Sequence, residues 1–84
     1  MIYVDDAYIP YRRYRMCHLM SDQKVDSDTE IHEFAKRLGL RREWFHGDHY
    51  DIAESKRREA VKNGAIEITT KQMVAIRRLK VSCF

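Results

Sequence analysis

The sequence predicts an α/β domain with a mainly parallel short sheet and about three helices, in the order β-β-α-β-α-β-α. Three observations lead there. Short β-prone runs alternate with helical patterns of about a dozen residues, the signature of strand-helix-strand units. Two stretches, Ser27-Asp28-Thr29-Glu30 and Thr69-Thr70-Lys71-Gln72, have the spacing of capping boxes, in which a hydroxyl and a side-chain carbonyl satisfy the free amides of a helix start. The chain has 84 residues, enough for one domain, taken as residues 1–84.

The elements follow in order. Ile2-Tyr3-Val4 is an apolar, β-prone run stopped by Asp5-Asp6, and Met16 to Met20 is a second strand ended by Ser21-Asp22. Between them, Tyr8 to Arg15 mixes aromatic and basic residues around the only proline, which reads as a loop or irregular edge because proline lacks a ladder donor. That connection is short for a parallel crossover, so an antiparallel first pair is the alternative. Ile31, Phe34, Ala35 and Leu38 fall at i, i+3, i+4 and i+7 on a helix from Thr29 to Leu38, closed by Gly39. Glu43 to His46 reads as a third strand. Asp51 is positioned to cap a helix from Ile52 to Asn63, closed by Gly64. Ala65 to Ile68 alternates as a fourth strand, and a last helix from Thr70 to Lys80 turns Met73, Ala75, Ile76 and Leu79 inward. The expected core is Val4, Phe34, Leu38, Ile52, Val61, Ile66 and Ile68.

Sixteen Lys and Arg against thirteen Asp and Glu leave a net charge of +3, too mild for a protein that coats DNA through a broad basic field. Local basic clusters occur at Arg12-Arg13-Arg15, Lys56-Arg57-Arg58 and Arg77-Arg78-Lys80. Cys17 and Cys83 have neither zinc-site spacing nor the number of a disulfide framework, so both are expected as free thiols. The start of the chain lacks the pattern of a signal peptide, and no run approaches the ~20 apolar residues of a membrane span. A cytoplasmic address with no membrane partner is the expectation, and so small a core leaves homo-oligomerisation open.

In parallel sheets, ligands bind beyond the carboxyl ends of the strands, where helix amino termini also point. Asp5 and Asp6 follow the first strand, and Thr69 and Thr70 the fourth; His49, Tyr50 and Asp51 lead into the second helix. Lys56 shares a helical face with Ile52, Ala53 and Ala60, so its stem should lie along the core and its ammonium should emerge over the same rim. These eight residues are the candidate ligand-binding set. Adjacent Asp5 and Asp6 point to opposite faces of an extended strand, so a metal held by two carboxylates needs Asp22, Asp48 or Asp51 as the second. His46 and His49, with Asp48 and Asp51 interleaved, have the spacing of a ligand pair with supporting carboxylates, whereas His18 and His32 lie in other elements. Tyr8, Tyr11 and Tyr14 among Arg12, Arg13 and Arg15 have the composition of a surface that stacks on bases and meets phosphates.

Met1 to Ala7, His49-Tyr50-Asp51, Ser55-Lys56-Arg57 and Gly64 to Thr69 together resemble the bacterial and phage family called domain of unknown function 4031, whose His-Tyr-Asp motif falls on His49, Tyr50 and Asp51. The resemblance implies a cytoplasmic protein carried by a phage or prophage, and implies no reaction.

Three functions compete. The leading one is a binding domain for a phosphate-bearing ligand, a nucleotide or nucleic acid, with no cofactor and with catalysis undetermined. The alternative is a metal-dependent hydrolase of a phosphodiester or nucleotide, with Asp5 and Asp51 on the metal and His49 as acid or base. The third is an interaction module that inhibits a host protein. Clustering of carboxylates favours the hydrolase; convergence of cationic and hydroxyl groups favours the binder.

Overall fold

In the computed structural model, which describes residues 1–23 and 29–82, the chain opens as a broken β-hairpin. β1 (Ile2–Val4) and β2 (Ile9–Tyr11) lie one after the other along β3 (Tyr14–Ser21), both antiparallel to it. Val4 pairs with Leu19 and Ile9 with Met16, so the four residues Asp5 to Tyr8 oppose only Cys17 and His18. The surplus is taken up as a bulge, with Tyr8 in the left-handed region at φ +46°. Arg12 and Arg13 form the two-residue turn, where Arg12 takes φ +57°, the positive value that tight hairpin turns favour. The edge expected from Tyr8 to Arg15 is therefore a hairpin tip carrying the proline.

β4 (Phe45–His46) and β5 (His49–Ala53) make a second tight hairpin through Gly47-Asp48, and β6 (Ile66–Glu67) completes a six-stranded sheet of order β4-β5-β3-β1-β6, with β2 paired to β3 off that path. The α/β class holds, but the sheet is mostly antiparallel, not mainly parallel: of the paired strands only β1 and β6 are parallel. The two-residue turns at Arg12-Arg13 and Gly47-Asp48 make their strand pairs antiparallel, since a parallel crossover needs a dozen or more residues.

Three helices are described: α1 (Thr29–Arg37), α2 (Glu54–Lys62) and α3 (Thr70–Ser82). Both glycine stops act as expected. Gly39 and Gly64 have φ of +79° and +102°, and the amides of Leu40 and Ala65 reach back to the carbonyls of Ala35 and Ala60. At the start of α3, the Gln72 amide donates to Thr69 Oγ1 and the Thr69 amide to Gln72 Oε1, a reciprocal box. The Ser27 box lies outside the described residues, as does Cys83.

The second helix starts later than expected. Residues 49 to 53 are strand, Ala53 stands at the N-cap, and no side chain caps it, so Asp51 is not the cap. Tyr50 and Ile52 alternate into the core there, which outweighs the helical spacing of Ile52 and Ala53. The expected third strand is shortened too, because Arg42–Trp44 forms a 3₁₀ turn before β4.

The core lies between one face of the sheet and the helices α1 and α2: Val4, Cys17, Leu19, Tyr50 and Ile52 from the strands meet Ile31, Phe34, Ala35, Leu38 and Ala60. Val61, Ile66 and Ile68 are only half-buried, the latter two on or beside a two-residue edge strand. In α3, Met73 is buried and Ile76 half-buried, whereas Ala75 and Leu79 are exposed. The face turned inward instead brings Lys80, whose ammonium donates to the Ser21 carbonyl at 2.8 Å. No described helix is long and apolar enough to cross a membrane.

Phe34 is 4% exposed at the centre of the α1 stripe. Phe34→Ala should lose about 3–5 kcal/mol by urea unfolding; a loss under about 1 kcal/mol would remove it from the core.

Candidate metal centre

Side chains alternate across a strand, so β3 and β5 each have a core row and an opposite row. Cys17 and Leu19, with Tyr50 and Ile52, form the core row; His18 falls on the other face, with His49 and Asp51. His18 is directly opposite Asp51 in the antiparallel register, and His49 lies two residues before Asp51. The alternation that builds the core thus gathers two imidazoles and a carboxylate on the reverse of the sheet.

Each imidazole is held from behind. His18 Nδ1 meets Asp5 Oδ2 at 2.6 Å, and His49 Nδ1 meets Asp48 Oδ1 at 2.7 Å. Both Nε2 atoms therefore face forward onto the same oxygen, Asp51 Oδ1, at 3.7 Å from His18 and 3.3 Å from His49. One donor atom from each residue lies within 4.8 Å of the others. Donors that share an ion at ~2.1 Å sit roughly 3.0–3.4 Å apart in tetrahedral or octahedral geometry, so His49 and Asp51 are at sharing distance and His18, 3.7 Å from the same oxygen, would have to move inward to join them. No other such cluster of His, Cys, Asp or Glu is found among the described residues.

The supporting carboxylates are themselves anchored. Asp5 is fully buried and accepts from the amides of His18 (2.8 Å) and Ala7 (3.3 Å) as well as from the His18 ring. Burial alone would push its carboxyl up, but these hydrogen bonds outweigh it and hold the group below the ordinary carboxylate value. Burial likewise pushes Asp48 up, and the His49 ring and the Arg77 guanidinium, 2.7 Å away, bring it down. The His18 imidazole is raised, chiefly by its hydrogen bond to Asp5.

The sequence-predicted residues divide. His49 and Asp51 meet, and Asp5 joins them through His18. Tyr50 points to the core face, where its hydroxyl meets His32 Nδ1 at 2.9 Å. Asp6 leaves the cluster to accept from the Thr70 amide and hydroxyl, so Asp6 and Thr70 join β1 to the start of α3, and Thr69 caps that helix. Lys56 donates to the Leu38 carbonyl at 2.6 Å and pairs with Glu59, closing the end of α1. The eight residues thus do not form one rim at strand carboxyl ends; the cluster sits mid-strand, on a sheet face. Sequence reading missed His18 and Arg77. Alternation over Met16 to Met20 does put His18 opposite Cys17 and Leu19, but its pairing with Asp51 depends on a register that no local pattern carries.

An open groove of about 960 Å³ contains the cluster, with His46, Lys56 and Arg77 as further polar groups and Ile9, Leu40, Tyr11, Tyr14 and Trp44 among its apolar walls.

Without a bound cation, the raised His18 contributes stability that is full below its ordinary 6.5 and is lost as pH rises through its folded value. The depressed Asp5 contributes above its ordinary 3.8, and that contribution is lost as pH falls through its folded value. Chelator-treated protein should therefore melt highest between those two values, and His18→Gln should flatten the alkaline limb. A limb unchanged in the variant would dissociate this pair from the pH dependence.

No curated protein and no solved structure matches the chain. The family described as "Protein of unknown function (DUF4031)" matches residues 2–80, a span that takes in both imidazoles, all three carboxylates of the cluster and Arg77. The chain belongs to that family.

Proposed function

We propose that this protein binds a divalent first-row transition ion through His18, His49 and Asp51 and uses it to hydrolyse a phosphodiester of a nucleotide or nucleic acid in the groove. One observation carries the reading: two Nε2 atoms converge on one carboxylate oxygen while each Nδ1 rests on a second carboxylate. A donated Nδ1 proton fixes the tautomer that offers the Nε2 lone pair to a metal. Two imidazoles and one carboxylate are the donors of catalytic sites that keep positions open, and they suit zinc or a neighbouring ion better than magnesium or calcium. Binding a phosphate ligand by Lys56, Thr69 and Thr70 alone has less support, since all three are engaged elsewhere.

Such an ion supplies Lewis acidity toward a phosphoryl oxygen and a water acidified to near neutrality. The protein supplies the rest. Arg77, which also holds Asp48, lines the groove and would bring positive charge to a phosphate bound there. His46, exposed in the same groove with its ring centroid 5.5 Å from that of His49, would give the leaving oxygen its proton as the ester P–O bond broke and the water oxygen took its place on phosphorus. The cytoplasmic, phage-borne setting implied by the family resemblance is part of the same reading, and the buried free thiol of Cys17 suits it.

Titrating zinc or manganese into chelator-treated protein by calorimetry should give about one ion per chain with proton release, since the raised His18 imidazolium must give up its Nε2 proton before that nitrogen can coordinate. Asp51→Ala or His49→Ala should abolish binding, and Asp48→Asn should weaken it about 10–100-fold. Metal at a hundred times its Kd should stabilise the fold by about 2.7 kcal/mol. Binding that ignores Asp51 and His49 would overturn the reading.

A further inference from the structure

A second cleft of about 480 Å³ adjoins the metal groove, sharing Tyr14 and Ala53 with it and lined also by Arg13, Arg15, Glu54 and Arg58. Arg15 is committed to Glu54 by a bidentate pair at 2.7 and 2.9 Å. Arg13 and Arg58 are exposed and form no ion pair among the described residues. Cationic charge therefore collects beyond the metal centre, where a mononucleotide bound at the metal would leave it without a partner.

Exposed rings border the metal groove, and one of them, Tyr14, also lines the second cleft. Tyr11, Tyr14 and Trp44 are 58%, 53% and 52% exposed, and all three line the metal groove. Tyr11 and Tyr14 are cross-strand partners at the hairpin tip, which the Arg12-Arg13 turn holds over the open groove. Exposed rings beside free guanidinium groups form a surface on which unpaired bases stack while phosphates follow the charge. A duplex offers no free base faces to such rings.

We infer that the ligand of the groove is single-stranded nucleic acid, with one phosphodiester at the metal centre, a base against Tyr14 and the next phosphates in the Arg13–Arg58 cleft. This rests on the metal-centre reading and names its substrate class. The reaction is hydrolysis: water and the phosphodiester give a phosphomonoester and a sugar hydroxyl, with the water oxygen on phosphorus and its proton on the leaving oxygen.

The test uses zinc-loaded protein and fluorescein-labelled DNA and RNA oligonucleotides of about 12 nucleotides, within the usual span of one small binding domain, read by anisotropy across a salt series. The wild type should bind either sugar form more tightly than a duplex of the same sequence. Arg13→Ala/Arg58→Ala should weaken binding about tenfold and reduce the log–log salt slope by about 1.4, the loss of two phosphate contacts on a single strand. Tyr14→Ala should weaken it about tenfold with the slope unchanged. Zinc affinity and circular dichroism verify that each variant is folded. Equal binding of duplex, equal binding of a base-free polyphosphate of the same charge, or indifference to these substitutions would overturn the inference. Those outcomes leave the metal centre standing if the wild type still hydrolyses bis(p-nitrophenyl) phosphate with zinc. A wild type that takes up no zinc overturns the reading beneath it, and the inference with it.

Discussion

The buried carboxylate of Asp5 is the constraint from which the rest of the arrangement follows. It lies in the bulge where four residues oppose two, the point at which the opening hairpin loses its regular ladder. A bulge leaves backbone groups without ladder partners, and here the Asp5 side chain supplies one, accepting from the His18 amide while its second oxygen holds the His18 ring. Its main-chain carbonyl takes the guanidinium of Arg57 at 2.7 Å, and Arg57 in turn pairs with Glu67 on β6. One residue therefore joins the first hairpin, α2 and the parallel edge strand, and aims an imidazole at the far face of the sheet.

A domain this small cannot cover both faces of a sheet with apolar side chains. Helices α1 and α2 bury one face, and the other carries, beside the buried Met20, polar residues that must satisfy one another. They do so as a relay: Asp5 to His18, His18 and His49 to Asp51, His49 to Asp48, Asp48 to Arg77. Arg77 comes from α3, so the inward side of that helix carries charged residues, Arg77 and Lys80, beside the buried Met73. The same relay holds both Nε2 atoms forward, so the interactions that make the polar face stable also make it a set of metal donors.

Helix positions were largely legible in the sequence, because their determinants are local. Gly39 and Gly64 stop helices through their own φ, and Thr69 and Gln72 exchange hydrogen bonds within one turn. The stripe of Ile31, Phe34, Ala35 and Leu38 is buried as its spacing requires. What the sequence determined about the site was the chemistry available at His49 and Asp51 and the polar end of the first strand at Asp5. Strand direction was legible only where a connection is short, as between the first strand and Met16 to Met20; elsewhere a run of β-prone residues is the same whichever way its neighbour runs. The stretch from His49 to Ala53 fits a helix start or a strand equally by local pattern, and only burial of Tyr50 and Ile52 against α1 and α2 selects the strand.

Tertiary structure alone decided which histidine completes the cluster. His18 and Asp51 are 33 positions apart and become neighbours because β3 and β5 pair in one register; a slip of one residue would send His18 to face a side chain pointing the other way. That register depends on the whole core row packing at once. Helix stops and caps rest on contacts within a few residues and can be read along the chain, whereas His18, Asp51 and Arg77 are brought together by the sheet and the helix packed on it.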